Sequence, residues 1–155
     1  MALAASAGSA RADQLDASAN LDGVYLTLGP VGSALHTATA WDAAFGGELM
    51  LARVTERRPI AALALSLGGH RYSERDTGRL WLEGMVASSR LGGTPIGLAA
   101  GPTLEVDRVI PARVGAQATV WAYVGVIPYM RIGTVDKSGA FFEMGLRIPL
   151  PAFRW

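Results

Sequence analysis

Apolar and polar residues alternate along most of the chain with a period of two. The clearest stretch runs from Arg113 to Val124, where every second residue is Val or Ala and the residues between them are polar, aromatic or glycine. A period of two is typical of a β-strand whose two faces meet different surroundings. The alternation returns after the GVIP sequence at 125–128 and again after the turn at 136–139. Residues 111–150 therefore predict three successive strands.

The preceding residues add shorter alternating stretches, separated by turn signals such as Gly29-Pro30. A helix over 38–52 is the main competing prediction, and Gly46 and Gly47 weaken it. About eight strands in a row favour an all-β fold, an antiparallel up-and-down β-barrel, over a sandwich, because closure removes unpaired strand edges. The further strands are predicted at 22–29, 45–54, 62–68, 79–86 and 95–106.

Two segments between the predicted strands lack this alternation. Residues 30–44 combine Gly, Ser and Thr with His36 and Trp41 and predict the longest loop. Residues 70–78, with the sequence HRYSERDTG, form the most polar segment and predict a solvated loop. We expect any surface partner to be contacted through these two loops.

Composition narrows the functional classes. The chain has 155 residues, the length of one domain, and a net charge of +1, which argues against a nucleic-acid partner bound through phosphate neutralisation. No run of about 18 apolar residues exists, so the sequence predicts no transmembrane helix, whereas a transmembrane barrel needs only strands of about 9–11 residues. The absence of cysteine excludes disulfides, thiolate nucleophiles and Cys-ligated metals.

The first residues have the composition of an export signal. The sequence MALAASAGSARADQ is rich in alanine, has no acid before Asp13 and contains Ala10-Arg11-Ala12, an A-x-A cleavage pattern. We interpret residues 1–12 as a residual signal-peptide-like leader and residues 13–155 as a single barrel domain. The alternative is a disordered leader of small residues.

The orientation of the two strand faces decides between a soluble barrel and a membrane barrel. The aliphatic face is nearly uncharged, as a lipid-exposed face must be. The other face balances Glu against Arg, and opposite charges can pair inside a narrow barrel. We therefore predict that the aliphatic face points outward, for example at Leu65, Leu82, Leu98, Val120 and Leu146. The predicted interior or ligand-binding residues are Glu48, Arg79, Trp81, Glu83, Glu105, Arg113, Gln117, Trp121, Tyr129, Arg131, Glu143 and Arg147.

This alternation, the leader and the aromatic end of the chain resemble the small eight-stranded outer-membrane barrels of the OmpA transmembrane-domain type. The resemblance is one of pattern and covers about residues 21–155. It implies that Phe153 and Trp155 form the signal read by the barrel-assembly machinery. Both have the parity of the charged face unless Pro149 and Pro151 shift the register.

Residues able to carry chemistry are few. His36 and His70 lie in the predicted loops, without the spacing of a metal site. His70, Ser73 and Glu74 supply the residue types of a lipid-modifying enzyme, but any polar loop can do so. We therefore expect that replacing His70 by Ala leaves folding and any activity intact. We assign no catalytic residue, cofactor or metal.

The sequence thus favours a non-enzymatic outer-membrane barrel with a charge-paired interior and membrane lipid as its partner. Its expected role is membrane anchoring, envelope structure or surface interaction. The alternative is a periplasmic or secreted lipocalin-like barrel that binds a small apolar ligand. A lipid-modifying enzyme of the outer membrane is third.

Overall fold

The computed structural model describes residues 22–55, 59–88, 94–107 and 111–155. The predicted leader at 1–12 and parts of the predicted turns at 55–59 and 88–93 lie outside the described residues. Within these ranges the secondary structure is β-strand, and no helix capable of spanning a membrane occurs. The strands are β1 (Gly23–Thr37), β2 (Trp41–Val54), β3 (Ile60–Tyr72), β4 (Thr77–Ser88), β5 (Ile96–Asp107), β6 (Arg113–Ala122), β7 (Ile127–Val135), β8 (Gly139–Arg147) and β9 (Leu150–Arg154).

The strands close into an eight-stranded antiparallel barrel with up-and-down connectivity. Each strand from β1 to β7 pairs with the next one along the chain. The second half of β1 pairs with β8 and its first half with β9, so β8 and β9 together occupy one position in the barrel wall. This closure confirms the predicted fold class, and it leaves no open sheet edge along β1.

The barrel has two distinct ends. One end carries the connections β1–β2, β3–β4, β5–β6 and β7–β8, and we name it the Lys137 end after the turn at 136–138. The opposite end carries the connections β2–β3, β4–β5 and β6–β7 together with Gly23 and Trp155, and we name it the Trp155 end.

Alternating exposure along the strands defines the two faces of the wall. Residues 79–87 of β4, for example, alternate strictly between buried and exposed. Most aliphatic side chains lie outside, as predicted, and the charged residues of β1 to β8 other than Arg53 and Arg71 lie within the barrel or at its rim. The five outward residues chosen from the sequence are exposed to 38–62%: Leu65, Leu82, Leu98, Val120 and Leu146.

The two predicted loops are wrong in their bounds. Most of 30–44 belongs to β1 and β2, whose pairing continues from Gly23↔Val54 to His36↔Trp41 and leaves only 38–40 between the strands. Residues 70–72 end β3 and residues 77–78 begin β4, so the connection is 73–76. The polar segment was misinterpreted because the barrel interior is itself polar: His70 and Tyr72 are buried inside it.

Prolines in the wall are accommodated in different ways. Pro128 is the second residue of β7, close to the start of the strand. Pro102 lies inside β5 opposite Ala116 of β6, while the β4–β5 pairing skips from Trp81↔Thr103 to Gly84↔Ala100. Proline lacks an N–H, so within a sheet it normally lies at a bulge or a strand end. At Pro102 the wall keeps its register instead and interrupts the β4–β5 pairing.

The end of the chain turns its aromatic residues outward. A register shift in β9 lies between the pairs Leu26↔Phe153 and Thr27↔Pro151. Trp155 exchanges two backbone hydrogen bonds with Val24, of 3.0 and 3.1 Å. Because the shift reverses the parity, Phe153 and Trp155 are 61% and 68% exposed, and their rings stack at 5.9 Å. The shift that the sequence allowed for at Pro149 and Pro151 therefore occurs.

Candidate functional site

The predicted interior residues converge inside the barrel. All of them except Arg113 are at most 8% exposed. Arg113 lies near the Lys137 end, where its side chain is 19% exposed. Inward positions of β2 and of β4 to β8 supply these residues, since every second side chain of a tilted strand points into the bore. They are candidates for a functional interior, and their contacts determine what that interior can do.

Glu83 of β4 occupies the centre of this cluster. It accepts hydrogen bonds from Thr119 Oγ1 at 2.7 Å and Gln117 Nε2 at 2.8 Å. Arg147 Nη2 lies 3.0 Å from its Oε2 atom, and Arg131 Nε lies 3.3 Å from Oε1. Both carboxylate oxygens are thus satisfied by donors from β6, β7 and β8, which is the condition for burying a charge.

Glu143 of β8 forms a second centre. It accepts a hydrogen bond from the Tyr129 hydroxyl at 2.6 Å and forms an ion pair with Arg131 Nη1 at 3.3 Å. Arg79 Nη1 and His70 Nδ1 each lie 3.6 Å from it. Arg131 therefore bridges the carboxylates of Glu83 and Glu143.

The ion pairs continue towards both ends of the barrel. At one side Arg147 Nη1 lies 2.9 Å from Glu48, which also accepts a hydrogen bond from Ser66. At the other side Arg79 lies 3.4 Å from Glu105, which in turn lies 3.8 Å from Arg113. Positive and negative side chains alternate without interruption, and their formal charges sum to zero. We name this set the ion-pair chain: Glu48, Arg147, Glu83, Arg131, Glu143, Arg79, Glu105 and Arg113.

Aromatic rings pack against the guanidinium groups of the ion-pair chain. Arg79 lies 3.6 Å from the centroid of Phe141, and Arg131 lies 4.5 Å from that of Trp81. Arg147 lies 4.6 Å from the ring of Tyr129. Such cation–π contacts are stronger where water is excluded. The rings therefore both fill the bore and stabilise the buried cations.

The interior also contains polar residues that the sequence did not assign to it. His70 is 6% exposed and contacts the rings of Tyr72 and Trp81, each at 5.2 Å between centroids. Ser66 and Thr119 are buried beside the acids. The alternation with outward leucines already puts Ser66 on the inner face of β3, and extending this alternation beyond Leu67 also places His70 inside.

The residue types proposed for a lipid-modifying enzyme do not form one site. His70 is buried against Glu143, whereas Ser73 and Glu74 are exposed in the connection after β3. The backbone N–H groups of Ser73 and Glu74 donate to Ala43 and Asp42. A triad requires mutual hydrogen bonding of its members. Within the described ranges, no group of three or more His, Asp or Glu side chains is arranged to hold a metal ion.

Two cavities flank the ion-pair chain, one at each end of the barrel. The cavity at the Lys137 end measures about 480 Å³, and charged residues such as Arg75, Asp107 and Arg113 line it. The cavity at the Trp155 end measures about 290 Å³ and is lined by apolar residues such as Met50 and Ile127. The bore is thus polar at one end, ion-paired in the middle and apolar at the other end.

The eight-stranded barrel with buried ion pairs is consistent with the sequence pattern, while the more specific resemblance to OmpA-type outer-membrane barrels stays a prediction. Comparisons of the chain with models of protein families, with curated proteins and with solved structures gave no match.

Proposed function

We propose that the protein is a non-enzymatic transmembrane β-barrel of an outer membrane, closed to ions by the ion-pair chain. Its role is to anchor or reinforce the envelope, and its partner is membrane lipid. This proposal rests on the chemistry of the outer face.

The observation that carries the proposal is an uncharged outer belt. Among the exposed, outward-facing residues of β1 to β8, only Arg53 and Arg71 are charged. Arg53 is the second-last residue of β2, at the Trp155 end, and Arg71 is the second-last residue of β3, at the Lys137 end. A hydrocarbon environment penalises charge most at the bilayer midplane and little at its borders. The two arginines therefore flank the belt where a membrane tolerates them.

The length of the strands fits the thickness of a bilayer. The strands β1 to β8 contain 9 to 15 residues. Ten residues rise about 34 Å along a strand and span about 25 Å along the axis at a tilt of about 45°. The apolar band of outer-membrane barrels has about this height.

Outward aromatic residues occur towards both ends of the belt. Trp41 and Phe45 lie in the part of β2 nearest the Lys137 end, and they are 53% and 67% exposed. Phe153 and Trp155 lie at the opposite end. Aromatic girdles at both membrane interfaces are typical of transmembrane barrels. This distribution also supports the prediction that Phe153 and Trp155 act as an assembly signal, since both are accessible.

A lipocalin-like barrel in water is the alternative, and the outer face argues against it. Such a barrel would hold its aliphatic residues inside around a ligand. Monomeric proteins in water rarely expose contiguous apolar patches beyond a few hundred Å². Here leucines project outward from neighbouring strands in register, for example in the pair Leu51↔Leu65. The belt is therefore better matched to lipid than to water.

Purification tests the proposal directly. We expect the folded protein to require detergent, to show heat-modifiable mobility in gels and to insert into preformed liposomes. A monodisperse protein in detergent-free buffer that does not bind liposomes would overturn the membrane assignment.

Surface interactions are proposed through the connections at 38–40 and 73–76, which replace the longer loops expected from the sequence.

A further inference from the structure

The cavity at the Trp155 end has the features of a binding chamber. It measures about 290 Å³ and opens at the end of the barrel. Five alanines on neighbouring strands β2, β3 and β4 line it, and their short side chains leave the bore unfilled. They are Ala52, Ala61, Ala62, Ala64 and Ala87. Ala62 pairs with Ala87 across β3 and β4, so two of the small side chains face each other.

Large apolar side chains form the remaining walls of the chamber. Met85, Trp121 and Ile127 are at most 8% exposed and pack in one hydrophobic cluster. Among the described residues that line the chamber, none carries a charge. The ion-pair chain begins beyond this cluster, where Arg147 contacts the sulfur of Met85 at 4.0 Å. The chamber therefore ends at the ion pairs and does not continue into a channel.

The ring of Trp121 closes one wall of the chamber. The residue is 8% exposed, and its indole N–H is enclosed, without an acceptor among the described residues. Because this N–H does not open onto the chamber, it offers a ligand no polar anchor there. Sites with a predominantly apolar lining bind the apolar part of a small molecule.

We propose that the chamber binds one alkyl chain of a single-chain amphiphile, inserted from the Trp155 end. Its volume lies at the lower limit of ligand pockets, which favours one chain over a sterol or a two-chain lipid. The apolar lining supplies the affinity, and the closed inner end limits the chain length. This proposal does not depend on the membrane assignment, because the chamber belongs to the bore and not to the outer face.

Chain length provides the first test. Terminally brominated fatty acids of increasing length are titrated into the folded protein, held in a fluorinated surfactant that mixes poorly with alkyl chains. Quenching of tryptophan fluorescence should saturate at one molecule per barrel. Each added methylene should strengthen binding about fourfold until the chamber is full, after which the affinity levels off. A quenching signal that never saturates, or an affinity that rises without levelling, overturns the proposal.

Variants provide the second test. Ala62→Leu narrows the chamber and should abolish the saturable quenching. Ala118→Leu makes the same substitution on the exposed outer face of β6 and should leave it unchanged. Trp121→Phe removes the indole that lines the chamber, so the saturable component should weaken to what the buried Trp81 of the same cluster reports. Equal saturable quenching in the folded Ala62→Leu and Ala118→Leu proteins would contradict the chamber, whatever the outcome of the liposome experiment.

Discussion

Arg147 of β8 forms an ion pair with Glu48 of β2 at 2.9 Å, although β1 lies between these two strands in the barrel wall. The same guanidinium reaches Glu83 of β4 at 3.0 Å. These contacts cross the bore and do not run along one pair of hydrogen-bonded strands. The interior charges therefore tie together parts of the wall that the backbone does not connect directly, and their removal should affect the whole barrel.

Arg131→Met should destabilise the barrel strongly. Arg131 is fully buried and bridges Glu83 and Glu143, so its removal leaves two carboxylates without their shared cation. Breaking a buried ion pair from one side typically costs about 3–5 kcal/mol. Unfolding in denaturant, with detergent present, measures the change in free energy. Arg113→Met is the matched control at the partly exposed rim, where the pair with Glu105 should contribute about 0–1 kcal/mol. Equal effects of the two substitutions would indicate a hydrated interior.

The two histidines should respond differently to replacement by alanine. His70→Ala removes a buried ring between Tyr72 and Trp81 and should cost about 1–3 kcal/mol through the cavity it creates. The sequence predicts no effect of His70→Ala because it places His70 in a loop, and that placement is wrong. His36 lies outside against Trp41, at 4.8 Å between rings, and its replacement should cost about 1 kcal/mol or less. Thermal unfolding of both variants in the same detergent compares them.

The ion-pair chain should prevent ion conduction. In planar bilayers we expect no steady current through the native barrel, because an eight-stranded bore is just filled by side chains. The charge-neutral double substitution Glu83→Ala with Arg131→Ala removes two large side chains from the centre and should produce a measurable conductance.

The control for this conductance removes volume from the outer face of the same strands. Leu82→Ala with Ile132→Ala changes β4 and β7 next to the two charged positions, but both side chains are exposed. This variant should remain closed. Steady current through the native barrel would show that the ion-pair chain does not close the bore. The absence of current through the Glu83→Ala, Arg131→Ala variant, once its insertion is verified, would contradict the same role.

The sequence predicted the faces of the strands well because parity along a strand is a local property. The inward positions of Glu83 and Arg131, for instance, follow from their alternation with the outward Leu82 and Met130. The shared parity also predicts that Arg113, Arg131 and Arg147 contact acids such as Glu105 and Glu143, and the pairs Arg113–Glu105 and Arg131–Glu143 occur. Arg147 contacts two other acids, Glu48 and Glu83, because partners across the bore depend on strand tilt and stagger, which parity does not give.

The errors in loop placement have a related cause. Polar residues at 70–78 indicated solvent, but a polar interior produces the same composition in a strand. His70 and Arg79 thus face the bore from β3 and β4. The outward orientation of Phe153 depends on a register shift beside Pro151, which parity alone does not reveal.

Leu65→Arg should distinguish the lipid-facing belt from a surface in water. Leu65 is 52% exposed near the middle of β3, and its pairing partners across the wall are Leu51 and Gly84. An arginine at the midplane of a bilayer costs about 2–4 kcal/mol, whereas near the interface it costs about 0–1 kcal/mol. Val106→Arg is the matched control, because Val106 is outward, 41% exposed and second-last in β5 at the Lys137 end. Folding into lipid vesicles, followed over a denaturant series, should be weakened much more by Leu65→Arg than by Val106→Arg. If the two variants fold equally well, the belt does not face hydrocarbon and the membrane proposal fails.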